Sequence, residues 1–89
     1  PETGYMVSLA DHEVTQDYFP TDDEIRQYIS EHSAQLWQDN RYFGLWLTGT
    51  TWYMDVSENV ADLDKAIAMG KANKQLAIWD CANKCAINL

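Results

Sequence analysis

Few residues in this chain are of a type and spacing that could do chemistry. The two cysteines, Cys81 and Cys85, flank Ala82-Asn83-Lys84 near the C-terminal end; the two histidines, His12 and His32, lie far upstream; Asp55 and Asp80 each follow an apolar run. Zinc asks for four nitrogen or sulfur ligands at suitable spacing. Two histidines so far from a Cys-x-x-x-Cys pair match no finger pattern, and the pair is not the Cys-x-x-Cys of thioredoxin-like sites. No metal and no cofactor is expected. Gly-x-Ser-x-Gly, a phosphate-binding glycine loop and His-Glu-x-x-His are all absent, so no catalytic residues are assigned. An aspartate left buried at position 55 or 80 would have a raised pKa. Such a residue more commonly caps a turn or accepts from a nearby backbone N–H.

Pairing geometry bears on the cysteines. A hairpin turning through Ala82-Asn83-Lys84 sets Cys81 opposite Cys85, Trp79 opposite Ile87 and Ala77 opposite Leu89. Every member of that set is apolar, and one face of a hairpin is one side of a sheet. The favoured turn has its last residue, Lys84, in the left-handed region. Opposed cysteines come within disulfide range. A bridge across so short a loop would stabilise by about 2 kcal/mol. Two reduced thiols or a Cys81–Cys85 disulfide are the competing expectations.

Around these residues the chain offers enough apolar material for one small domain. It has 89 residues, 46% hydrophobic and 12% aromatic, too apolar for a disordered tail. The domain is expected to span 1–89, with residues 1–4 disordered or an expression-derived extension. No apolar run approaches a membrane helix. Net charge is −8, and it is lopsided. Residues 1–64 hold thirteen Asp/Glu against Arg26 and Arg41, a net −11, whereas residues 65–89 hold four lysines against Asp80, a net +3. Phosphate backbones and anionic membranes both need clustered cations, so direct binding of nucleic acid or membrane is not expected. The expected compartment is the cytoplasm, or the extracellular space if the bridge forms.

Tyr5 to Leu9 alternates at period two and predicts a strand; a polar stretch then runs to Pro20. Thr21-Asp22-Asp23-Glu24 has the form of a capping box and opens a helix. Ile25, Tyr28, Ile29, His32 and Leu36 make its apolar stripe, which fades by Asp39-Asn40. Arg41 to Ser57 predicts a hairpin turning at Thr48-Gly49-Thr50, with Trp52, Met54 and Val56 on one face and Tyr53 and Asp55 on the other. Gly44 within it implies a bulge or a close neighbour. Asp62 caps a second helix whose stripe, Leu63, Ala66, Ile67 and Gly70, is small enough to lie close on a sheet. Gln75–Cys81 and Cys85–Leu89 are the last strands. The order β-α-β-β-α-β-β predicts an α+β fold, an antiparallel-rich sheet with two helices packed on one face.

Four tryptophans are many for this length. Trp37, Trp46, Trp52 and Tyr53 are the candidates for an exposed interaction surface. "GYMVSL", "YFGLWLTG", "TWYMDVSENV", "DKAIAMGKANKQLAIWD" and the terminal hairpin together resemble a small uncharacterised α+β domain of actinobacterial phage and mobile-element accessory proteins. The resemblance covers nearly the whole chain. It implies an accessory module acting beside larger proteins and brings no catalytic residues. It also implies a hydrophobic residue and a glycine-containing turn where this chain has Cys81 and Lys84. The function expected is a non-enzymatic protein-interaction module with an unidentified protein partner, or a homodimer through a sheet edge. An acidic mimic of nucleic acid that inhibits a host DNA- or RNA-binding protein is the alternative, and a small enzyme a weaker one.

Overall fold

A computed structural model describes residues 1–89. Its elements run β1 (Tyr5–Ser8), β2 (Val14–Gln16), α1 (Asp22–Glu31), α2 (Ser33–Leu36), β3 (Arg41–Thr48), β4 (Thr51–Val60), α3 (Leu63–Ala72), β5 (Ala77–Asp80) and β6 (Cys85–Asn88). Every strand pairing is antiparallel. The ten-residue β4 is the axis of the sheet. It pairs with β3 along one edge, while β1 and β2 share the other, with Ser8 opposite Ser57 and Val14 opposite Met54. Beyond β1 come β5 and then β6.

The helices lie on one face, as the α+β pattern requires. Opposed residues share a face, so Val7 lies on the side of Glu58, Val56 and Met54. Val7 packs with Ala66 of α3 and Ile78 of β5, and Met54 and Val56 pack with Tyr28 of α1. The small stripe of α3 does what its sequence implies. A Cβ on Gly70 would come within 2.5 Å of Leu89 Cδ1 and 2.9 Å of Ile78 Cγ2, so with any other residue there Leu89 and Ile78 would have to shift for the helix to lie this close. Thr21 and Glu24 form the reciprocal capping box. The Thr21 backbone N–H, followed by the Tyr18 hydroxyl, holds the Glu24 carboxyl below its usual range.

Two elements were not foreseen. β2 holds one apolar residue in three, so periodicity cannot show it; it forms because β4 extends past the end of β1 and leaves ladder groups to be paired. The first helix also stops early, at Glu31. His32 leaves helical geometry at φ −108°, its Nδ1 lies 2.8 Å from the Tyr28 carbonyl oxygen, and its ring stacks on Tyr28 at 4.0 Å. α2 then starts afresh at Ser33. Near the start of the chain the Thr3 carbonyl accepts from Asn59 Nδ2 and the Gly4 carbonyl accepts from the Cys81 N–H.

The last hairpin corrects the sequence reading. Asp80 opposes Cys85, Trp79 opposes Ala86, Ile78 opposes Ile87 and Ala77 opposes Asn88. The turn therefore holds four residues, Cys81 to Lys84, and Lys84 is left-handed at φ 53°. One residue of slip exchanges the faces. Ile78 and Asp80 are the buried members of the strand, and Trp79 points away from the helices. Asp80 fixes this register: its two oxygens accept from the backbone N–H of Asn83 at 3.2 Å and from Asn83 Nδ2 at 2.8 Å.

Candidate functional site: the open face of the sheet

Along β4 the residues facing away from the helices are Tyr53, Asp55, Ser57 and Asn59. Ladder partners place Tyr42, Gly44 and Trp46 of β3, Ser8 and Met6 of β1, and Trp79 of β5 on the same face. At its centre Asp55 is only 1% exposed. Ser8 Oγ donates to its Oδ2 at 2.6 Å, Trp46 Nε1 donates to the same oxygen at 2.8 Å, and Ser57 Oγ donates to Oδ1 at 3.1 Å. A carboxylate taken out of water must find donors, and here three side chains from three strands supply them. Gly44 is the close-neighbour case. A Cβ at that position would overlap Asp55 Oδ1, so the strand gives up a side chain to seat the carboxylate.

This network fixes the aromatic surface above it. Trp46, anchored through its indole N–H, stacks flat on its cross-strand partner Tyr53, with centroids 4.1 Å apart and planes 6° apart. Tyr42 and Trp79 stand on the same face, and Trp46, Tyr42 and Trp79 remain 39–45% exposed. Of the four aromatics expected at an interaction surface, the structure brings Trp46 and Tyr53 together. Trp52 lies on the opposite face with its ring edge against Phe19 at 4.8 Å. Trp37 caps α2 alone and is 88% exposed. Tyr42 was missed, although its even spacing from Trp46 carried the signal. Trp79 was missed as a surface residue because the assumed hairpin register turned it inward.

The remaining candidates separate. Asp80 is the turn-capping kind: donation from Asn83, side chain first and backbone second, holds its carboxyl below the usual range. Burial, reinforced by Asp55, raises Glu13. The same cause, with Asp55 and Glu13 adding, raises the Tyr28 hydroxyl, which donates to the His12 carbonyl at 2.5 Å. His12 and His32 meet edge to face at 5.4 Å, yet no group of three or more His, Cys, Asp or Glu side chains is placed to hold a metal ion. Cys81 and Cys85 are free thiols on opposite faces of the hairpin, the first buried and the second exposed; the opposition that a bridge needs is not formed. A concavity of about 180 Å³ lies beside α1 between Val14, Glu24, Tyr28 and Met54. A wider one, of about 520 Å³, opens between the N-terminus and the last turn. Neither is lined by Asp55 or Asp80. No helix is long and apolar enough to cross a membrane.

These features define an antiparallel sheet roofed by helices on one side and bearing an aromatic surface, anchored from beneath, on the other. No protein-family model, curated protein or solved structure matches the chain.

Proposed function

We propose that the chain is a non-enzymatic protein-interaction module whose contact surface is the open face of the sheet. One observation carries this reading: the Trp46–Tyr53 stack is left partly exposed, on the same face of the sheet as Tyr42 and Trp79, while its anchor, Asp55, is satisfied from within. Tyrosine and tryptophan supply large contact area at low entropic cost, and they dominate the energetics of protein interfaces. An aromatic surface already held in place loses little further freedom on binding. Asp55 is spent on this support and lines neither of the two concavities described above, which favours recognition over catalysis. With a net charge of −8, the partner suited to the face is a protein and not a nucleic acid or an anionic membrane. A phage or mobile-element accessory module is the setting that the sequence resemblance suggests for it.

The nucleic-acid mimic draws less support. Asp22, Asp23 and Glu24 serve the start of α1, Asp62 caps α3, and Glu58 is bound by Arg41 at 2.7 Å. These five carboxylates are thus used locally, by helix starts and an ion pair.

The test is capture of a partner on the immobilised chain from extracts of its native host at several salt concentrations, read by mass spectrometry beside Tyr42→Ala and Trp79→Ala. These two rings are not anchored to Asp55, so the fold should survive their loss. The expected result is a partner held by the natural chain and lost by both variants. Retention of that partner by both variants, or recovery of none at any salt concentration, would overturn the reading.

A further inference from the structure

The free edge of β3, which borders the aromatic face, carries a second assignment. β3 is eight residues long and pairs only with β4. The phase of that ladder is fixed at its start, where the Asn59 N–H donates to the Asn40 carbonyl at 2.7 Å. Bonded and non-bonded pairs alternate along an antiparallel ladder, so Tyr42, Gly44, Trp46 and Thr48 direct their backbone groups at β4. The two-residue turn that closes Thr48 onto Thr51, with Gly49 at φ 61°, demands the same phase. Phe43, Leu45 and Leu47 therefore turn their N–H and C=O groups outward, and no turn, cap or loop bond reaches them. Arg41 is the exception at the strand's start, its N–H donating to the Gln38 carbonyl at 3.3 Å.

Natural edges are blunted by proline, by lysine, by bulges or by brevity. From Tyr42 to Thr48, β3 has no proline and no charged residue, and its register with β4 runs unbroken. We propose that this edge pairs antiparallel with β3 of a second copy of the chain, about a twofold axis perpendicular to the sheet. The two ends of the strand argue for a second copy. Leu47, 50% exposed, marks the end of β3 on the helix-bearing face. Trp37, 88% exposed, closes α2, which lies against β3 and whose Leu36, like Phe43 and Leu45, packs on the Tyr28–Met54–Val56 cluster at that same face. Antiparallel self-pairing sets the start of one strand beside the end of the other, so Trp37 of each copy comes over Leu47 of its mate. With the axis on Gly44, Phe43 faces Leu45 and Tyr42 faces Trp46 across the pair. The side chains at the junction are apolar or aromatic apart from Arg41, which Glu58 already binds. The sheets join into one, with all helices on one side.

The experiment is sedimentation equilibrium of the full chain, with amide hydrogen exchange read by NMR as concentration is raised to about 1 mM, where even a contact of roughly 4 kcal/mol would show. A closed dimer is expected, in which the N–H groups of Phe43, Leu45 and Leu47 gain protection with concentration. Those of Tyr42, Gly44 and Trp46 should be protected throughout. Because each copy carries −8, added salt should tighten the dimer by screening like charge. Leu47→Lys and Trp37→Ala alter exposed side chains and should leave the melting temperature nearly unchanged while weakening association by about tenfold or more. A chain monomeric throughout this range, a dimer whose three outward amides stay unprotected, or open-ended polymers would each overturn the assignment. Loss of partner capture by Trp79→Ala would leave it untouched, because Trp79 stands on β5, on the far side of the sheet from the β3 edge.

Discussion

The seat of Asp55 yields a sign reversal that no surface effect would mimic. In the natural chain Gly44→Ala drives a methyl group into Asp55 Oδ1. That oxygen belongs to a short side chain held by Ser8, Ser57 and Trp46, so it cannot swing aside without losing bonds. Overpacking of this kind costs about 1–3 kcal/mol. Asp55→Ala removes the shared acceptor. Ser8 and Ser57 are 3.4 Å apart and can bond each other, and the partly exposed Trp46 can reach water. The loss is therefore that of one or two hydrogen bonds to a carboxylate, about 3 kcal/mol. For a domain of this size it corresponds to a fall of roughly 12–20 °C in melting temperature. In the Asp55→Ala background the space beside residue 44 is vacant. Gly44→Ala should then stabilise by about 0.5–1 kcal/mol, because alanine loses less backbone freedom than glycine on entering a strand. The cycle of four proteins, unfolded in urea, should give a coupling of about 2–3 kcal/mol. Additivity within about 0.5 kcal/mol, or a Gly44→Ala that destabilises both backgrounds equally, would refute the claim that glycine is there to seat the carboxylate.

Three further outcomes follow from local geometry. With a thiol reagent under native conditions, exposed Cys85 should react at once and buried Cys81 only as the hairpin opens; equal rates, or an unreactive pair restored by reduction, would contradict the register. The Asp80 carboxyl should titrate below its ordinary value and move back up in Asn83→Ala. A depressed native pKa stabilises fully above the unfolded-state value near 3.9 and is lost as pH falls through the native one, so the natural chain and the variant should diverge in stability at neutral pH and converge in acid. Thr21→Ala should cost about 1 kcal/mol by removing the side-chain acceptor of the Glu24 N–H, measured by thermal unfolding, and a change below about 0.3 kcal/mol would mean that the cap is idle.

The elements that proved legible are those whose signal is local. The capping box at Thr21, the Asp62 cap, the small stripe of α3 and the alternation through Trp52, Met54 and Val56 each state a rule within a few residues, and the α+β arrangement follows from their order. Elements decided by distant groups were hidden. β2 exists because β4 outruns β1. The break at His32 depends on a ring that stacks back on Tyr28. The terminal hairpin shows the difference most sharply, because two registers one residue apart both set apolar residues together. What chose between them was Asp80 gripping Asn83, together with the pairing of Tyr5 to Asp80 and Met6 to Trp79. The Cys-x-x-x-Cys spacing, the most conspicuous motif in the sequence, lost its meaning with that one slip.

The same slip shows where function concentrates. Turning Trp79 outward adds it to Tyr42, Trp46 and Tyr53 on the open face, and turning Ile78 inward lets Ala66 and Gly70 close the core over it. Asp55 was conspicuous in sequence as a carboxylate among apolar residues, a pattern that raises the thought of catalysis. Its partners give it another task. Its three donors come from β1, β3 and β4, so one buried carboxylate locks three strands into a fixed phase. The indole that it anchors is part of the surface offered to solvent. A polar network of this kind is costly when broken, and it holds Trp46 in one position. The phase it locks is also what turns Phe43, Leu45 and Leu47 outward along β3. The aromatic face and the bare edge are thus two consequences of one arrangement. A single perturbation at Asp55 should therefore loosen both, whereas Leu47→Lys should touch the edge alone and Trp79→Ala the face alone.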